Sequence, residues 1–259
     1  MVTQSSRAAI RRYLEANAPD FNERRLSRLR SLKPSELFGK NINPYFLSIG
    51  PLMTPRQRVE AALGAILSAH DKAVLGELLT NLAIFLCQQA YGGGGKATAE
   101  GIDLEFEKDG VRYLVAIKPG PNWGNSSQIK RMRDNFRQGA KIVRAGCKGK
   151  KVESVNGCCY GKQAASSEDK GDYRKLCGQS FWDFITGDAE IYKRIVNPIG
   201  EKARDRNDQF RIELENVTDK FVLEFRTLFC FCDRPNAIDW DKVVEFASGR
   251  KAAPKTQRA

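Results

Sequence analysis

The 259-residue chain is long enough to bury a sizeable core in one large domain, or in a core with a helical appendage. Its 41% hydrophobic and 29% charged residues give a globular balance, and the excess of Lys and Arg (43) over Asp and Glu (31) favours a polyanionic partner. Seven cysteines, an odd number without a matched Cys-x-x-Cys pair, argue for reduced thiols in a cytosolic protein rather than a disulfide frame or zinc site, and no uninterrupted apolar run reaches the roughly 18 residues of a membrane span.

In chain order, residues 5–18 and 22–32 carry helical spacing of Ile10, Leu14, Leu26 and Leu29 among arginines, which predicts two helices in a basic N-terminal arm over residues 1–50. Pro34 ends that arm, and residues 43–47 read as a loop or short extended segment. Thr54 and Pro55 have N-cap and first-turn chemistry for a helix lined by Val59, Leu63, Ile66 and Leu67. A second helix over residues 72–90 is apolar enough to be the central one lying against a sheet. The run Gly92 to Gly95 then reads as a flexible turn, since it lacks the Lys-Ser/Thr sequel of a phosphate loop. His70, the single histidine, is expected at a helix boundary as a cap or packed residue, which argues against histidine-based hydrolysis.

Residues 101–128, GIDLEFEKDGVRYLVAIKPGPNWGNSSQ, form the centre of the chain. Alternation in IDLEFE, the Lys108-Asp109-Gly110 turn and the β-rich VRYLVAI predict a hairpin of strands 102–107 and 111–117. Asp103, Glu105 and Glu107 then share one face of the first strand, and Lys118 emerges where the second stops. A carboxylate and a lysine at one end of a sheet suit metal-dependent phosphodiester hydrolysis: the acid holds Mg²⁺, and the lysine positions water or neutralises developing charge. Spacing by itself does not separate this pair from an ordinary strand-end lysine. The break at Pro119-Gly120-Pro121 leads through a polar loop into a helix starting at Ser126 or Ser127. Between Ile129 and Lys151 stand nine Lys or Arg against the single acid Asp134, a run suited to DNA phosphates. Farther on, residues 151–160 predict a strand, 163–171 a polar loop, and Phe181 to Phe184 the start of a helix that Ile191, Tyr192, Ile195 and Ile199 continue. Phe210, Leu214, Val217, Phe221 and Leu228 give residues 205–231 an amphipathic helix, for core packing or a dimer surface. The segment 249–259 has the composition of a disordered basic tail.

The stretch Ile102-Asp103, Ala116-Ile117-Lys118 and Gly120-Pro121-Asn122-Trp123-Gly124-Asn125-Ser126 resembles the PD-(D/E)XK nucleases, in particular a branch of type II restriction endonucleases. The resemblance continues at Asn43-Pro44-Tyr45-Phe46, at Tyr160-Gly161-Lys162 and from Gly178 to Phe184, and so spans residues 40–200. It departs at Ala116, where the superfamily has Asp or Glu, and at Pro119, where a small residue is usual. The resemblance implies an α/β fold, with a restriction-endonuclease-like core of mixed sheet and flanking helices over residues 51–200, a helical region at 201–248 and the basic tail beyond. It further implies Mg²⁺-dependent, site-specific cleavage of double-stranded DNA by a homodimer, with a cognate DNA methyltransferase as genetic partner and no role for a membrane. Asp103 is then the first metal ligand and Lys118 the catalytic lysine. For the second acid, Glu77 on the central helix, Glu105 by the same-face rule, and Asp134 on the following helix are the candidates, in that order. Asn122, Trp123, Asn125, Ser126, Ser127 and Gln128, with Lys130, Arg131, Arg133 and Arg137, are the expected DNA contacts. Because Ala116 replaces an acid, the alternative is a DNA-binding protein on a nuclease-like fold whose chemistry is weak or lost.

Overall fold

The structure is a computed structural model that describes residues 3–39, 43–45, 53–97, 99–146, 149–164, 168–204 and 207–250. Of the loop expected at 43–47, Asn43 has no regular structure, Pro44 and Tyr45 are helical, and residues 46–47 lie outside the described residues, as does the expected tail from 251 on. The chain divides into two compact units, Met1–Phe21 with Ala73–Asp205, and Asn22–Lys72 with Arg206–Ala259. Helices α1 (Thr3–Ser31) and α3 (Pro55–Tyr91) give residues to both.

The first unit is built on a mixed five-stranded sheet of β1 (Gly94–Gly95), β2 (Leu104–Lys108), β3 (Val111–Lys118), β4 (Lys151–Cys158) and β5 (Arg174–Cys177), in that spatial order. The first three strands are antiparallel and β3, β4 and β5 run parallel. The β2–β3 hairpin closes through Asp109 and Gly110 with φ of 51° and 75°, the doubly left-handed turn that an Asp-Gly pair favours and that matches strand twist. Period-two alternation sorts the side chains. Leu104, Phe106, Val115 and Ile117 pack with Leu78, Leu82 and Leu86 of α3 and with Phe181 and Ile185 of α5 (Gln179–Thr186). Leu114 and Ala116 face the other way, toward Met132, Phe136 and Ala140 of α4 (Ser126–Gly146), which links β3 to β4. Helix α6 (Ile191–Arg204) adds Ile191 and Ile195 to the α3 side.

The second unit is helical, with α2 (Pro34–Gly39), α7 (Asn207–Phe229) and α8 (Trp240–Ser248). Phe38 meets Phe221, Phe225 and Phe229 edge-on at centroid distances of 5.6 to 6.2 Å, a geometry that aromatic quadrupoles prefer. Phe210, Leu214, Val217 and Phe221 of the predicted α7 stripe pack within this unit, whereas Leu228 is exposed and Phe225 and Phe229 fill the core in its place. Leu29, Leu63 and Val243 complete this core.

Several elements differ from expectation. The predicted helix pair at 54–90 is one 37-residue helix, begun by the reciprocal Thr54–Gln57 cap in which each side chain accepts the other's backbone N–H. His70 is accordingly mid-helix rather than at a boundary, and neighbouring Asp71 is bound to Arg25 at 2.8 Å. Residues 5–18 and 22–32 likewise merge into α1. The glycine run is partly a strand: Gly94 lies across from Phe106 so closely that an added Cβ would stand 3.0 Å from the phenylalanine Cβ. The helix predicted to run on from Phe181 breaks at Gly187, whose φ of 70° caps α5. Strand β5 had no counterpart in the predicted elements, and α8 lies within the helical region expected at 201–248, where no separate helix was delimited after residue 231. By mean hydropathy over an 18-residue window α3 is long and apolar enough to cross a membrane, contrary to the count of uninterrupted apolar residues; Val74, Leu78, Leu82 and Leu86 on it are buried. All six described cysteines are free thiols.

Candidate active site

The β2–β3 hairpin brings Asp103 and Lys118 together. The Asp103 N–H donates to Val115 O at 2.9 Å, just before β2 begins at Leu104, which also pairs with Val115. Lys118 closes β3. The Asp103 Oδ2 accepts the Ile117 N–H at 2.6 Å, and Lys118 Nζ is 3.9 Å from the same oxygen. No described residue donates a hydrogen bond to Oδ1. Lys118 Nζ also sits 5.0 Å from the centre of the Trp123 ring, a cation–π contact that limits where the ammonium can swing. Trp123 itself is half-buried against the cluster of Ile102, Leu114 and Met132. Burial raises the Asp103 pKa above the usual carboxylate range, and Lys118, the Ile117 N–H and Lys96 oppose that rise. The carboxylate therefore carries a desolvation penalty that its neighbours offset in part.

The loop after Lys118 is fixed by close backbone packing. Cys159 N–H donates to Lys118 O and Tyr160 N–H to Pro119 O, extending the β3–β4 ladder past the strand ends. An added Cβ on Gly120 would lie 2.3 Å from the Tyr160 ring, and one on Gly161 (φ 114°) would lie 2.8 Å from Pro121. Lys175 of β5 clamps the same turn by donating from Nζ to Pro121 O at 2.9 Å. Beyond it, Asn125 and Gln128 cap α4 reciprocally: Asn125 Oδ1 accepts the Gln128 N–H and Gln128 Oε1 accepts the Asn125 N–H, both at 3.0 Å. Two of the expected DNA contacts thus have a structural task as well. Ser127 Oγ donates to Asn125 Oδ1, whereas the side chains of exposed Asn122 and Ser126 make no hydrogen bond among the described residues.

The basic helix is less free than its sequence implies. Arg131 pairs with Glu100 at 2.7 Å, Arg133 with Asp172 at 3.4 Å, and Arg137 with Asp134 and Asp172 at 3.1 and 3.3 Å. Exposed Lys130 makes no ion pair among the described residues. These are exposed or half-exposed pairs, each worth a fraction of a kcal/mol to about 1 kcal/mol, which a phosphate can displace.

The candidate second acids are dispersed. Ala116 is fully buried against α4 and offers no ligand. Glu105 is held by Arg112 at 2.7 Å. Asp134 is about 200° around α4 from buried Met132, on the side away from the sheet, and bonds Arg137. Glu77 is exposed one residue past Gly76, where an added Cβ would stand 3.1 Å from Pro119, so its turn of α3 lies beside the loop that follows Lys118. Among the described residues no three His, Cys, Asp or Glu side chains cluster as a metal cage. Sequence reasoning passed over Lys175 and Asn156, which the parallel register places beside Ala116 in the row Ala116, Asn156, Lys175. Only strand pairing reveals that row.

A protein-family model described as Type II restriction endonuclease EcoO109I matches residues 8–207 of the chain. No curated protein matches it.

Proposed function

The chain belongs to the type II restriction endonuclease EcoO109I family, and from that premise we propose that it cuts double-stranded DNA at specific sites in a Mg²⁺-dependent reaction centred on Asp103 and Lys118. The observation that carries this reading is the meeting of these two side chains, 3.9 Å apart, at the sheet end from which the capped α4 N-terminus departs. On this reading the core is of the PD-(D/E)XK type, of the branch with the Gly-Pro-Asn-Trp-Gly-Asn-Ser loop.

The donor set fits Mg²⁺ rather than a metal that needs a full protein cage. Magnesium is commonly bound through one or two carboxylates, with waters and substrate phosphate filling the rest of its shell, and Asp103 presents one oxygen without a hydrogen bond. Asp103 would hold the ion, with Glu77 the best-placed second carboxylate. When bound, the ion would polarise the phosphate and lower the pKa of a bound water. The chain's own groups do the rest. The Ile117 N–H fixes the Asp103 carboxylate, Trp123 restrains the Lys118 ammonium beside the reacting phosphate, and the α4 N-terminus with Asn122, Ser126 and Lys130 holds the flanking phosphates. A water oxygen then bonds to phosphorus as one ester P–O bond breaks, and Lys118 neutralises the charge that develops.

Two identical subunits on a palindromic site would present one centre to each strand, which makes a homodimer the working assembly. A cytoplasmic enzyme of this kind calls for a cognate DNA methyltransferase to protect the host sequence. The second reading, a DNA-binding protein with weak or lost chemistry, is favoured by one observation, the buried Ala116 in place of an acid. Digestion of unmethylated plasmid DNA with Mg²⁺, followed by sequencing of the ends, decides between them. Discrete bands with one common end sequence support the endonuclease; binding without cutting supports the alternative.

A further inference from the structure

We infer that Tyr160 and Lys162 form a second DNA-backbone contact beside the Asp103–Lys118 pair: the Tyr160 phenol donates to an oxygen of the phosphate next to the scissile one, and Lys162 neutralises charge on that stretch of backbone. The inference rests on the endonuclease reading above and adds to it two residues outside the 122–128 loop and α4. Three observations carry it.

The first is position. Lys118 and Cys158 are partners in the parallel β3–β4 ladder, and Cys159 and Tyr160 continue it by donating to Lys118 O and Pro119 O at 2.9 and 3.2 Å. Tyr160 therefore stands one strand spacing, about 4.8 Å, from the chain leaving Lys118, on the side of β3 away from β2. Successive nucleotides of a DNA strand rise about 3.4 Å along the duplex, a length of the same order. A strand running across the sheet ends thus puts the phosphate next to the scissile one at Tyr160. Beyond the carboxyl ends of parallel strands is also where open α/β sheets meet their ligands.

The second is that the segment is held rigidly while its polar ends stay unused. Glycines interlock three connections: an added Cβ on Gly120 would lie 2.3 Å from the Tyr160 ring, one on Gly161 2.8 Å from Pro121, and one on Gly178 2.5 Å from Gly161 O. The Gly178 N–H also donates to Cys158 O at 2.9 Å. The phenol ring is laid across Gly120 by this packing, yet Tyr160 is 63% exposed. Its hydroxyl makes no hydrogen bond, and exposed Lys162 no ion pair, among the described residues. A donor fixed by its neighbours and facing solvent binds at little ordering cost.

The third is charge. No acid stands between Glu153 and Glu168, so nothing within this segment competes with a phosphate for Lys162. Tyr160 also borders an apolar groove with exposed Leu75 and Val196, a surface open to a protein chain. The free ammonium and free phenol favour the phosphate backbone, to which both Lys and Tyr side chains commonly bond.

The test uses Tyr160→Phe, which keeps the ring over Gly120 and removes only the hydroxyl, and Lys162→Gln. Melting, DNA affinity in Ca²⁺ and single-turnover cleavage in Mg²⁺ are measured on a duplex carrying the site defined by the protein's own cut ends. The same duplex is also made with a single methylphosphonate at each phosphate flanking the cut. Both variants are expected to melt as the wild type does. Loss of a hydrogen bond to a charged group should make Tyr160→Phe bind or cut about tenfold or more less well. Lys162→Gln should make the slope of log K on log[salt] shallower by about 0.9. A methylphosphonate at the contacted phosphate should weaken the wild type and cost Tyr160→Phe nothing further, the non-additivity of two partners in contact. Wild-type affinity and rate in Tyr160→Phe overturn the inference, as does a loss that adds in full to that of either methylphosphonate. So does a DNA-free dimer that Tyr160→Ala converts to monomer by light scattering, which would assign this surface to a second copy of the chain. A wild type that cuts no DNA overturns the functional reading itself, whereas a cutting wild type with equally competent Tyr160→Phe and Lys162→Gln variants removes only this contact.

Discussion

At the scale of single residues, the proposed function sets stability and activity against each other at Asp103. Burial raises its folded pKa above the unfolded value, so the folded state keeps its proton to higher pH than the unfolded chain does. Stability from this group is present below the ordinary carboxylate range and is lost as pH rises through the raised value, leaving a penalty at neutral pH. Asp103→Asn keeps an oxygen for the Ile117 N–H and removes the charge. Its melting temperature at neutral pH should equal or exceed that of the wild type, while cleavage falls by orders of magnitude. Cleavage by the wild type should also decline as pH is lowered through the raised pKa, because protons and metal compete for one carboxylate, and added Mg²⁺ should restore part of it. A cleavage rate flat across that range would show that Asp103 does not titrate in the reaction. Lys118 is the complementary case: Lys118→Met leaves Asp103 buried without its cation, and pushes its pKa farther up.

At the scale of elements, the loop between β3 and α4 holds a helix cap and, on the proposed function, a DNA-contact surface. Asn125→Ala removes one half of the reciprocal cap and should lower stability by about 1 kcal/mol, visible as a lower melting temperature. Asn122→Ala removes no side-chain hydrogen bond among the described residues, so it should weaken DNA binding or slow cleavage with melting unchanged. Equal melting losses in both variants would contradict that division of labour. The turn itself depends on glycine at 161: Gly161→Ala puts a Cβ 2.8 Å from Pro121 at a φ of 114° and should cost about 1–3 kcal/mol and displace the loop. The hairpin that carries Asp103 and Lys118 was legible in the sequence because its signals are local: alternation in β2, an Asp-Gly turn, and a proline after Lys118. Other features were not, for particular reasons. Ser68-Ala69-His70-Asp71 has the look of a helix boundary, yet contains no residue that breaks a helix, and α3 runs through it. Strand β5 is four residues long and opens with Arg174 and Lys175, too short and too charged for period-two reading. The neighbourhood of Asn156 depends on parallel pairing between distant segments, for which no local pattern exists. The arginines of α4 read as a free basic face, but their partners Glu100 and Asp172 come from other elements.

At the scale of the whole molecule, a formal net charge of +12 predicts an affinity for DNA that falls steeply with salt. Log K against log[salt] should have a slope of about −0.9 for each phosphate neutralised, and Lys130→Ala should make that slope shallower by about one phosphate. Light scattering on a cognate duplex should find two chains per site; one chain per site with both strands cut would contradict the dimer. Substitutions at exposed Leu223 should leave the melting temperature of the single chain unchanged. The central claim, that Asp103 and Lys118 form a DNA-cutting centre, is tested most directly by single-turnover cleavage of unmethylated DNA with wild type, Asp103→Asn and Lys118→Met, alongside DNA affinity in Ca²⁺. Discrete fragments are expected from the wild type, and in both variants DNA binding within a few-fold of it with cleavage lower by orders of magnitude. Cutting near the wild-type rate by either variant would contradict it.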